Sequence, residues 1–105
     1  MTNFLILNEH GDVRFFESGE KLTSWVEAID VKNGEFEVFS SLGHRLNLSA
    51  FGEIVTMDPP EGNPTHGEEL REILVEYFSD NEENSQWARN ATLSELLDRC
   101  RPYTE

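Results

Sequence analysis

The sequence predicts an α+β domain, an antiparallel sheet of about five strands with helices packed on one face, in the order ββαβββαα. Three observations predict it. Short runs of β-forming residues dominate up to Met57, a proline-rich stretch fills 58–64, and apolar residues recur with a helical period beyond it. A chain of 105 residues has the size of one domain, so residues 1–105 are read as a single unit in which 58–64 links the sheet region to the C-terminal helices.

Residues 4–7 and 13–17 are the first two runs, and the Gly and Asx residues between them, Asn8-Glu9-His10-Gly11-Asp12, suit a hairpin turn. Leu22, Trp25, Val26 and Ile29 then fall at i, i+3, i+4 and i+7, predicting a first helix capped by Ser18. Asn33-Gly34 tolerates positive φ before the alternating strand 35–39. After a turn at Gly43, Leu46 and Leu48 alternate with polar neighbours, and Gly52 precedes Ile54-Val55-Thr56-Met57. A three-stranded meander is therefore expected over this region. Asp58-Pro59-Pro60-Glu61-Gly62-Asn63-Pro64 sustains neither regular structure, because its three prolines lack backbone donors.

Thr65 and Glu68 form a capping-box pattern, and Leu70, Ile73, Leu74, Tyr77 and Phe78 trace the apolar face of the helix it opens. Residues 81–90 are polar, a loop or short helix anchored by Trp87. Thr92 and Glu95 repeat the capping pattern ahead of Leu93, Leu96, Leu97 and Cys100, and Pro102 ends that last helix. The expected core comprises Phe36, Val38, Leu46, Leu48, Leu70, Ile73, Leu74 and Phe78.

Chemistry is harder to find. His10, His44 and His66 lie at or beside turns, without the paired spacing of a metal site. The stretch from Asp80 has Ser85 where a calcium loop needs Gly and Ala91 where it needs the bidentate Glu. Cys100, the single cysteine, falls on an apolar helical face as a small hydrophobe. With no phosphate loop, nucleophile elbow or Cys/His pair at a familiar spacing, the expectation is a non-enzyme with no catalytic residue, metal or cofactor. A lone thiol, no basic leader and no long apolar run point to the cytoplasm and away from a membrane.

The charge is the strongest signal. With 21 acidic residues against 8 basic ones the net charge is −13, which argues against direct binding to nucleic acid phosphates or anionic membranes and favours a basic protein partner. Seven acidic residues stand between Glu68 and Glu83 against one base, Arg71, and Glu68, Glu72, Glu76 and Asp80 succeed each other at i,i+4. Like charges so placed oppose helix formation by roughly 0.2–0.5 kcal/mol per pair. Glu68, Glu72, Glu76, Asp80, Glu82 and Glu83 are therefore the candidate partner-binding residues. Along a helix the stripe carboxylates rise about 6 Å apiece, near the phosphate separation of a nucleic acid strand.

In size, acidity and α+β layout the chain resembles the small bacterial immunity proteins of polymorphic toxin systems. That resemblance implies an inhibitor whose carboxylates fill the basic cleft of a toxin enzyme, and it transfers no site residue. The alternatives are a nucleic-acid mimic directed at a DNA-binding protein, and a small enzyme or ligand-binding domain whose site forms only in the fold.

Overall fold

β1 (Leu5–Glu9) and β2 (Asp12–Phe16) pair antiparallel with Glu9 opposite Asp12, leaving His10 and Gly11 as a two-residue turn. Both turn residues have positive φ, 51° and 100°, the mirror-image geometry that matches the twist of a hairpin. The computed structural model describes residues 3–58, 65–79 and 82–104. Of the linker assigned to 58–64, only Asp58 falls within them.

β3 (Glu37–Ser40) pairs with β1, and β4 (Arg45–Leu46) with β3, giving a four-stranded antiparallel sheet of order β2-β1-β3-β4. Between β3 and β4 the Ser40 hydroxyl accepts from the Leu42 and His44 amides, and Gly43 takes φ 93°. β5 (Leu48–Phe51) and β6 (Ile54–Met57) form a separate two-stranded sheet. The expected meander thus divides at Asn47: Leu46 pairs with Val38 in the first sheet, whereas Leu48 pairs with Met57 in the second. The Asn47 carbonyl accepts from Asp58 N–H and closes this second hairpin.

The period-two pattern assigns the faces of the larger sheet. Ile6, Phe15 and Phe39 lie side by side on one face and enter a core with α3 (Gly67–Ser79), α4 (Glu82–Asn90) and α5 (Leu93–Cys100). Leu7, Phe16, Val38 and Leu46 face the other way, against Leu22 and Val26. Helices therefore cover both faces rather than one, because the sheet is apolar on both. The second hairpin completes the second layer, with Leu48, Val55 and Met57 turned inward and Phe51 and Ile54 outward at 74% and 67% exposure.

The first helix is shorter than its periodicity implies. Ser18 caps α1 (Gly19–Trp25) by accepting from Lys21 N–H, but Val26 and Glu27 are extended, and α2 (Ala28–Lys32) starts anew. The bend leaves Ile29 63% exposed and brings Val31 against the core instead. A β-branched valine adopts extended geometry readily. Trp25 lies outside the core, beside Phe16 and under the Arg14 guanidinium.

Of the expected core, Val38, Leu46, Leu70, Leu74 and Phe78 are buried, and Phe36, Leu48 and Ile73 are partly buried against it. α3 opens at Gly67, with Leu70 N–H bonded to the His66 carbonyl. α5 carries the full capping box: Thr92 Oγ1 accepts from Glu95 N–H, and the Glu95 carboxylate accepts from Thr92 N–H. Pro102 converts its end into a 3₁₀ turn, Arg101–Tyr103.

Candidate functional site

Glu68, Glu72 and Glu76 are exposed along α3, opposite the buried face formed by Leu70, Leu74 and Phe78. An amphipathic pattern sorts them, since any rotation exposing a carboxylate less would expose leucine more. Asp80 lies outside the described residues, as do the side chains of Glu82 and Glu83 at the start of α4.

Arg71 would be the local counter-charge, but it is engaged elsewhere. Its Nε donates to the Ala91 carbonyl at 3.1 Å and its Nη2 to the Arg89 carbonyl at 2.9 Å. Carbonyls at a helix C-terminus lack intrahelical partners and carry partial negative charge, so a guanidinium suits them. Among the described residues Glu68, Glu72 and Glu76 enter no ion pair.

Glu69 differs from its neighbours. Half-buried, it receives Arg45 Nη1 at 3.4 Å, and the same nitrogen lies 3.1 Å from Glu37 Oε2. Glu37 accepts in turn from Asn8 Nδ2 at 3.0 Å, and Asn8 Oδ1 from Gly11 N–H at 3.0 Å. This polar chain runs from the first hairpin across the sheet to α3, the helix that presents the stripe. It was not foreseen, because it needs β1, β3 and β4 adjacent in an order the sequence does not reveal.

Described residues line three clefts of note. An open trough of about 520 Å³ is lined by Phe16, Glu20, Lys21, Ser24 and Trp25. A cleft of about 310 Å³ lies between Asn8, Gly11 and Val13 of the first hairpin and Ile73, Glu76 and Ser79 of α3. The third, of about 120 Å³, adjoins Arg45 and Asn47. None of the three is lined by histidine.

His10 Nε2 meets the Glu35 carboxylate at 2.5 Å, and this hydrogen bond, with the charge of Glu35, raises its pKa above 6.5. His44 Nδ1 lies 3.2 Å from Ser40 Oγ inside its turn, and His66 Nδ1 lies 3.4 Å from Thr65 Oγ1. The Glu95 carboxyl is held below its usual range by its bond from Thr92 N–H. Burial pushes the Cys100 thiol up to about 12, so it is a core residue and not a thiolate at neutral pH. Among the described residues no group of three His, Cys, Asp or Glu side chains is placed to hold a metal ion. Among the same residues no helix is long and apolar enough to cross a membrane.

Comparison with protein-family models, with curated proteins and with solved structures gives no match to this chain.

Proposed function

We propose that this chain is an acidic protein-binding inhibitor, an immunity-type protein whose α3 carboxylates enter the basic substrate cleft of a toxin enzyme in the cytoplasm. One observation carries the reading: the single cation within the stripe, Arg71, is turned onto the Arg89 and Ala91 carbonyls at the end of α4, leaving Glu68, Glu72 and Glu76 exposed. A helix face selected only for solubility mixes Lys with Glu at i,i+4. A face left uniformly negative pays that repulsion in the free protein and loses it when a basic surface arrives. The net charge of −13 adds long-range steering, which raises encounter rates with a cationic partner toward about 10⁸–10⁹ M⁻¹s⁻¹.

The test is affinity capture from the native host, followed by assay of the captured protein. The proposal expects a basic enzyme whose activity is suppressed by the wild type and less by Glu68→Gln/Glu72→Gln. A captured DNA-binding protein that is released by competing duplex would instead support nucleic-acid mimicry and overturn the inhibitor reading.

A further inference from the structure

Ile73, Glu76 and Ser79 stand at i, i+3 and i+6 on α3, a row running beside the turn end of the first hairpin. The cleft of about 310 Å³ between this row and Asn8, Gly11 and Val13 has chemically distinct parts. Val13 and Ile73 are partly buried apolar walls continuous with the core. Glu76 is exposed and belongs to the stripe. The Asn8 carboxamide is held at both ends, by Gly11 N–H and by Glu37, so it is not free to reorient. Ser79 Oγ is shielded from solvent and has no hydrogen-bond partner among the described residues. Buried hydroxyls in that state are uncommon, and helical serine ordinarily bonds the carbonyl one turn back.

Resting on the inhibitor reading above, we propose that this cleft receives one arginine side chain of the basic partner. The stem lies against Val13 and Ile73, and the guanidinium is shared by the Glu76 carboxylate and the Ser79 hydroxyl after rotation about its χ1. The cleft, about 310 Å³, has room for one long side chain. Composition supports a stem that is apolar and a head that only donates: the walls are aliphatic, Glu76 accepts, and a hydroxyl lone pair accepts. Geometry distinguishes arginine from lysine. The planar guanidinium presents several donors in a fixed fork to two acceptors at once and is weakly hydrated, whereas the lysine ammonium is a compact and strongly hydrated point charge. A second copy of this chain is disfavoured as the occupant, because each copy carries −13.

The test is an NMR titration of the full chain with N-acetyl-arginine amide, with the lysine and glycine equivalents as controls. Saturable shifts at Val13, Ile73, Glu76 and Ser79 are expected with the arginine compound alone. Glu76→Gln, at an exposed position, should weaken them about tenfold, the effect of losing one charge-assisted bond. Ser79→Ala should weaken them by a smaller factor while leaving the melting temperature equal or higher, since it removes an unpartnered buried hydroxyl. No saturation at these residues, equal response to the lysine compound, or unchanged affinity in Glu76→Gln would overturn the proposal. The titration contains no partner protein, so its failure leaves the inhibitor reading standing. Conversely, a partner indifferent to Glu68→Gln/Glu72→Gln would sink that reading without touching the titration.

Discussion

Arg71 on α3 donates from Nε to the Ala91 carbonyl at 3.1 Å, binding the helix that carries the acidic stripe to the junction between α4 and α5. The same contact keeps the guanidinium off Glu68 and Glu72. Arg71→Met should lower stability by about 1–3 kcal/mol, because two carbonyls lose a charged donor. Its association with a basic partner should be as fast as wild type or faster. Urea denaturation and stopped-flow binding measure the two effects, and loss of binding in a folded Arg71→Met protein would mean that Arg71 itself faces the partner.

The reciprocal bonds of Thr92 and Glu95 define the start of α5, whose Leu96, Leu97 and Cys100 are buried. Thr92→Ala should cost about 1 kcal/mol by urea denaturation. Thr92→Ser, which retains the acceptor, should recover most of it.

Cys100 is fully enclosed and its thiol is pushed up to about 12. Alkylation by iodoacetamide at neutral pH should be slow in the native protein and become fast on unfolding. Cys100→Ala should lower stability by about 1 kcal/mol through lost packing while leaving partner binding unchanged. Rapid alkylation of the folded chain would contradict burial.

The His10–Glu35 pair joins the first hairpin turn to the approach to β3, and it raises the His10 pKa above 6.5. A raised folded-state pKa contributes stability that is fully present below the unfolded value and is lost as pH rises through the folded one. The stability difference between wild type and Glu35→Gln should therefore shrink as pH rises from below 6.5 through the His10 titration. Proton NMR of the His10 ring should also show its pKa falling toward 6.5 in Glu35→Gln.

Local chemistry made much of the fold legible. The His10-Gly11 turn, the Ser18 cap, the Thr92–Glu95 box and the apolar face of α3 are each written within a few residues, and each forms. What failed to show depends on distant packing. Leu22 to Ile29 keeps a helical period, yet the second core takes Leu22, Val26 and Val31 and leaves Ile29 out. Leu46 and Leu48 look like one strand but belong to two sheets. At the candidate site the exposure of Glu68, Glu72 and Glu76 follows from amphipathicity. The engagement of Arg71 by carbonyls some 20 residues away and the cleft beneath Glu76 do not, since both depend on how α3 docks.

The stripe itself is tested by the association rate of wild type and Glu68→Gln/Glu72→Gln with the purified partner at two ionic strengths. The fold should survive, because relief of repulsion, roughly 0.2–0.5 kcal/mol per pair, offsets the loss of an acid from the first turn of α3. At low salt the variant should associate more slowly, and near 1 M salt, where screening acts over about 3 Å, the two rates should converge. Equal rates at low salt would contradict a binding role and reduce the stripe to a solvated helix face.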